Sequence, residues 1–276
     1  MRVRQRRLEP LRQRAGRFFD TLLGRRWVKR QRVFLVEAGG LKLKRIEMLD
    51  SARAAAKEDM LLQLAATGIA PKLVARHHRD LWLEFVEGER VDPADPRLPD
   101  DFAKLLSALY GSGATVVAPR GIYAPDAVER DLALLVQAGA LRAKTAERVG
   151  ALLPAVVPNT LWIGLDHTDL LARNMLRRAD GRLCLIDIES IVSGEAIGTG
   201  FAKACIRWID PARERYVEAV RSRSEISGFL AYLPYLEIRF LASWSKRSLL
   251  LGKEKLVEPR LIEAWIDRTS TRDTLG

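Results

Sequence analysis

The sequence predicts an α+β protein made of two unequal lobes. Three observations predict it. Strand signals concentrate in residues 33–91, helical periodicity dominates 92–276, and one short hairpin at 174–188 interrupts the helical part. Residues 1–32 read as a separate basic extension. They hold twelve of the 46 Lys and Arg residues and two of the 35 acids, so the remainder is nearly neutral although the chain carries +11.

In the extension, Leu8, Leu11, Ala15, Phe18, Phe19 and Leu22 recur at helical spacing and give an Arg-rich amphipathic helix or arm. It either packs on the domain through that stripe or meets an anionic surface. Contact with an anionic membrane fits better than nucleic acid, because no aromatic residues interleave the bases and no RNA-binding motif is present. Val33 to Val36 and Leu41 to Ile46 flank Gly39-Gly40, a hairpin signal. In the second strand Lys42 and Lys44 share one face. Asp50 or Ser51 then caps a helix that runs to about Thr67, where Gly68 and Pro71 stop it. Leu81 to Val86 forms a further strand leading into Glu87-Gly88. The Pro- and Asp-rich run from Asp92 to Asp101 links to the second lobe. Two cysteines and three histidines make neither a disulfide framework nor a zinc site, and point to a reducing compartment. No stretch reaches the roughly 20 apolar residues of a membrane span. A cytoplasmic protein is expected, with residues 1–32 offering peripheral attachment to the inner face of a membrane.

The stretch from Leu161 to Ser190 carries the chemistry. Asp180-Gly181 signals a tight turn, and a two-residue loop there sets Asn174 opposite Asp187. Asp169, five residues before Asn174, is expected to fold back over the same end. Two acids and an amide oxygen form a hard-oxygen site suited to Mg²⁺. Read separately, Asp187 caps a strand end and Asn174 makes a turn. In the first lobe, Glu58 shares a helical stripe with Leu61, Leu62 and Ala65. An inward carboxylate needs a cation, which Lys42 or Lys44 on the preceding strand supplies.

His167-Thr168-Asp169-Leu170-Leu171-Ala172-Arg173-Asn174, followed by Ile186-Asp187-Ile188-Glu189, resembles the catalytic and metal-binding loops of the protein-kinase-like fold. It is most similar to the aminoglycoside phosphotransferase and choline kinase group. The resemblance implies a small β-rich N-lobe that binds nucleotide (33–91) and a larger helical C-lobe with the catalytic and metal loops (92–276). It implies ATP and Mg²⁺ as cofactors. Asp169 would orient the acceptor hydroxyl and take its proton. Asn174 and Asp187 would hold the metal, and Lys44, braced by Glu58, would position the phosphates. Backbone groups of Glu84 and Val86 would meet the adenine. His167 would clamp the loop backbone, and Glu189 would support the metal or close a strand-end ion pair.

Three departures accompany the resemblance. No glycine-rich loop precedes the first hairpin, Gly24-Arg25-Arg26-Trp27 being the sole candidate. Leu171 stands where protein kinases place a lysine, which leaves Arg173 either as the substitute cation or as a solvated side chain. No activation segment follows Asp187, and Gly194, Gly198 and Gly200 read as a flexible turn. The expected activity is phosphorylation of an alcohol on a small molecule or glycan. Twelve bases against nine acids from Pro211 onward disfavour a polycationic acceptor. The alternatives are a lipopolysaccharide-core type sugar kinase at the membrane surface and a catalytically inactive nucleotide-binding module.

Overall fold

A computed structural model describes residues 3–7, 31–253 and 258–271. The expected amphipathic stripe of the extension and Gly24 to Trp27 lie outside these residues. Contacts divide the chain into two units, Met1–Arg90 with Met175–Ile188, and Val91–Asn174 with Glu189–Gly276. The 174–188 hairpin, placed by chain order in the helical lobe, groups with the first unit from Met175 onward.

The first unit is built on five antiparallel strands: β1 (Val3–Arg7), β2 (Arg32–Ala38), β3 (Leu41–Glu47), β4 (Leu73–His77) and β5 (Asp80–Glu84), in the order β1-β2-β3-β5-β4. The extension is therefore not wholly separate: Val3 to Arg7 pair with Ala38 to Phe34 as an edge strand. Gly39-Gly40 forms the β2–β3 turn, both glycines at positive φ, and sets Leu35 opposite Lys44. Helix α1 (Ser51–Leu64) is capped by Asp50, whose Oδ1 accepts the Arg53 N–H at 2.8 Å. Its buried stripe is Ala54, Met60, Leu61 and Leu64, whereas Leu62 is 59% exposed. The predicted stripe was out of phase, because Met60 and Leu64 are buried in place of Leu62 and Ala65.

A second sheet of this unit joins β6 (Glu89–Arg90), β9 (Met175–Arg177) and β10 (Leu183–Leu185) in the order β10-β9-β6. Leu183 faces Arg177 and Leu185 faces Met175, one residue off the predicted register. Arg178 N–H donates to Arg182 O at 2.9 Å, so the loop is Ala179-Asp180-Gly181 and not the dipeptide alone. Gly181 at φ 83° supplies the left-handed residue that a three-residue hairpin loop needs. The tight-turn register that set Asn174 opposite Asp187 is not adopted.

The second unit contains α2 (Leu98–Tyr110), β7 (Ala114–Val117), α3 (Pro125–Gln137), α4 (Ala143–Val156), β8 (Leu161–His167), β11 (Ile191–Ala196), α5 (Thr199–Ala204), α6 (Arg213–Arg221), α7 (Leu233–Leu250) and α8 (Pro259–Ser270). Its sheet runs β11-β8-β7. Leu132, Leu135, Val149, Leu153, Tyr235, Ile238, Ile262 and Trp265 bury one core between α3, α4, α7 and α8. Phe102, Phe201, Trp208, Tyr216 and Phe229 build a second, aromatic core with edge-on contacts of 5.5–5.9 Å among most neighbours. No helix among the described residues is long and apolar enough to cross a membrane.

Candidate active site

Strand β8 delivers the loop at residues 168–171 from a buried position. Asp166 and His167, its last two residues, are fully buried. His167 Nδ1 accepts the Asp169 N–H at 3.2 Å, which fixes the ring against the loop. Asn174 folds back and donates its amide N–H to Asp169 O at 2.8 Å and to Oδ2 at 3.0 Å. With the amide nitrogen committed to Asp169, the Asn174 oxygen is the atom left for accepting or for a cation.

Every carbonyl from Thr168 to Leu171 has a donor. Lys203 Nζ reaches Thr168 O at 2.8 Å, and Trp208 Nε1 reaches Leu170 O at 2.7 Å. Leu171 N–H donates to Asp169 O and Asn174 N–H to Leu171 O, both at 2.8 Å. A loop with its polar backbone satisfied in this way is held in one geometry. Lys203 and Trp208, five residues apart, both reach the loop because residues Cys205–Ile209 form a π-helical turn after α5. In a π turn, i and i+5 share a face.

Asp166, not singled out from the sequence, is the loop's anchor. Its Oδ1 accepts the His167 N–H at 2.6 Å and the Tyr110 hydroxyl at 3.3 Å, and its Oδ2 accepts the Gly200 N–H at 3.1 Å. Burial pushes its carboxyl up to about 6, against these hydrogen bonds, which favour the charged form. Gly200 permits the approach, because a Cβ there would sit 2.1 Å from His167 O. Of the glycines read as a flexible turn, Gly194 lies at a register shift in β11, and a Cβ on Gly198 would meet the Phe229 ring at 2.5 Å. Burial pulls the Lys203 ammonium down in pKa, against the charges of Glu195, Asp166 and Asp169. Its Nζ also lies 5.4 Å from the Phe240 ring centroid.

The Asp169 carboxylate is about one-third exposed. It meets two guanidiniums, with Arg173 Nη2 3.4 Å from Oδ2 and Arg207 Nη1 3.3 Å from Oδ1. Arg173 is therefore not merely solvated. Arg207 was not singled out from the sequence. Its one local signal is the spacing of four from Lys203. Leu171, at 8% exposure, is packed into the unit.

In the first unit, Lys44 Nζ donates to Ile186 O at 2.6 Å and Lys57 Nζ to Ile188 O at 3.0 Å. Two lysines thus hold the backbone on either side of Asp187. Lys42 is exposed and pairs with Glu87 at 2.8 Å. The cation that the sequence required near Glu58 is supplied by Arg76 on β4. The Glu84 carboxylate takes Arg178. Burial alone would raise its pKa, but the Arg178 hydrogen bond and the Lys72 backbone hold it below the usual carboxylate range. Its N–H donates to Lys72 O at 3.0 Å, and Val86 is buried. Among the described residues no three His, Cys, Asp or Glu side chains form a metal-binding cluster. An amide oxygen such as that of Asn174 and a carboxylate such as that of Asp187 are hard oxygen donors, the ligand type that Mg²⁺ takes.

The family model described as the phosphotransferase enzyme family matches residues 23–235. No curated protein sequence matches. Among solved structures, the chain is similar to a macrolide 2′-phosphotransferase from Brachybacterium faecium, at 15% identity and a TM-score of 0.58, covering 96% of this chain and 90% of that one. It is similar to a choline kinase from Streptococcus pneumoniae at 15% identity and a TM-score of 0.56, covering 87% and 88%. A thermostable mutant of an aminoglycoside phosphotransferase, in ternary complex with ADP and hygromycin B, matches at 14% identity and a TM-score of 0.56, covering 92% and 97%. The mixed α+β fold is thus shared with these proteins.

Proposed function

The chain belongs to the phosphotransferase enzyme family, and from that premise we propose that it transfers the γ-phosphate of ATP to an alcohol group of a small molecule, with Mg²⁺. The observation that carries the reading is the loop around Asp169, whose backbone is bonded at every carbonyl and whose carboxylate stays partly exposed. The nucleotide is favoured by the neighbour that holds ADP. A small-molecule acceptor is favoured by neighbours named for macrolide, choline and aminoglycoside.

In this reading Asp169 accepts a hydrogen bond from the acceptor hydroxyl and takes its proton. The acceptor oxygen forms a bond to the γ-phosphorus as the bond to the β–γ bridging oxygen breaks, and ADP leaves. His167 keeps the Asp169 backbone in place through Nδ1. Asn174 fixes the carboxylate through Oδ2 and offers its amide oxygen, with Asp187, to Mg²⁺. The metal would neutralise charge on the phosphate oxygens. Lys44 is favoured over Lys42 for the phosphates, since Lys42 is exposed and bound to Glu87. Glu58 ties α1 to β4 through Arg76. Glu84 and Val86 present backbone groups to adenine, and Glu189 supports the metal side.

The test is thermal stabilisation by ATP with Mg²⁺. The wild-type midpoint should rise, and Asp187→Asn should lose most of the rise. Equal shifts in both proteins, or none in either, refute the metal assignment. ADP release dependent on added alcohols, abolished in Asp169→Ala, then tests the transfer itself.

A further inference from the structure

The carboxylate proposed as the base sits in a positive surrounding. Arg173 and Arg207 approach its two oxygens from separate elements, at 3.4 and 3.3 Å, and the Lys203 ammonium lies one carbonyl away on Thr168. Among the described residues Asp169 is the one carboxylate that either guanidinium meets. Both contacts are longer than the 2.7–2.9 Å of a tight charge-assisted pair. The guanidinium heads also remain open to solvent, at 70% and 39% side-chain exposure. They are held near Asp169 without being consumed by it.

Resting on the kinase reading above, we propose that the acceptor is an anion. It would be an alcohol carrying a phosphate or carboxylate close to the reacting hydroxyl, with Arg173 and Arg207 binding that group. A guanidinium fork matches carboxylate and phosphate oxygens in two-point geometry, which an exposed pair to Asp169 does not use. Moving the two arginines onto the acceptor frees oxygens of Asp169 for the hydroxyl. A cationic acceptor would be set against two arginines and a buried lysine, a like-charge arrangement that selects against it.

Inorganic phosphate is the probe, titrated by calorimetry at constant ionic strength. Wild type should bind saturably in the millimolar range. Arg173→Ala/Arg207→Ala should weaken binding about tenfold or more, while Arg173→Lys/Arg207→Lys, which keeps both charges but loses the forks, should fall between wild type and the double alanine variant. Asp169→Asn removes the competing carboxylate, and loss of two exposed ion pairs should tighten phosphate binding about three- to tenfold. ATP–Mg²⁺ stabilisation, measured separately, should be unchanged in the double alanine variant and reports on the kinase reading by itself. Absence of saturable phosphate binding, or equal binding in the double alanine variant, overturns the proposal. So does loss of ATP stabilisation together with phosphate binding, which would assign the arginines to the nucleotide.

Discussion

Replacing Asp166 by asparagine should change how stability depends on pH, with a sign set by burial. The Asp166 carboxyl titrates near 6 when folded, against an ordinary value of 3.8. One pKa unit corresponds to about 1.4 kcal/mol, so the difference amounts to about 3 kcal/mol. The folded value is the raised one. The contribution to stability is therefore fully present below about pH 4 and is lost as pH rises through about 6, after which it stays constant. The Asp166→Asn variant lacks this titration. The stability of wild type relative to that variant should then fall by about 3 kcal/mol between pH 3 and pH 7, read from urea unfolding at a series of pH values. Taking the difference matters, because Glu84 and other carboxyls with depressed pKa act in the opposite sense. A flat difference, or one that rises with pH, would show that the three hydrogen bonds to Asp166 outweigh its desolvation.

Gly200→Ala should cost at least about 3 kcal/mol, the upper range for overpacking, because the added Cβ meets backbone at His167 O and no flexible side chain can yield; differential scanning calorimetry checks it. Lys57→Met should weaken ATP–Mg²⁺ stabilisation about tenfold or more in apparent affinity, with Lys57→Arg partly restoring it. The lost charged hydrogen bond to Ile188 O is worth about 1.5–3 kcal/mol.

Local turn chemistry made much of the first unit legible. Gly39-Gly40 admits one hairpin geometry in this setting, and the observed β2–β3 ladder follows from it. Asp180-Gly181 was readable as a turn but not as a register. The same dipeptide can close a two-residue loop or end a three-residue one, and the difference moves every partner by one position. The stripe of α1 was misphased for a similar reason: Glu58, Leu61 and Leu62 satisfy helical spacing, but only tertiary packing decides that Leu64 is buried and Leu62 exposed. Strand β1, Val-Arg-Gln-Arg-Arg, shows no alternation of apolar residues. Charged edge strands of that type carry little pattern, since charge is what keeps an edge from pairing with other chains.

The residues of α5 and the turn after it that escaped notice share one physical property: each acts through a contact distant in sequence. Lys203, Arg207 and Trp208 follow their loop partners by 35 to 38 positions and reach them because α5 widens into a π turn. Such a turn has no sequence signature, and it displaces side chains from the faces that ordinary helical spacing assigns. Trp208 is then fixed by edge contacts to Phe102 and Tyr216 at 5.9 and 5.8 Å. Its N–H thus arrives at Leu170 O from a rigid ring. The segment from Lys203 to Trp208 therefore sets both the geometry of the loop, through two carbonyls, and its charge, through Lys203 and Arg207. A substitution at Trp208 would loosen the loop while leaving every motif residue in place.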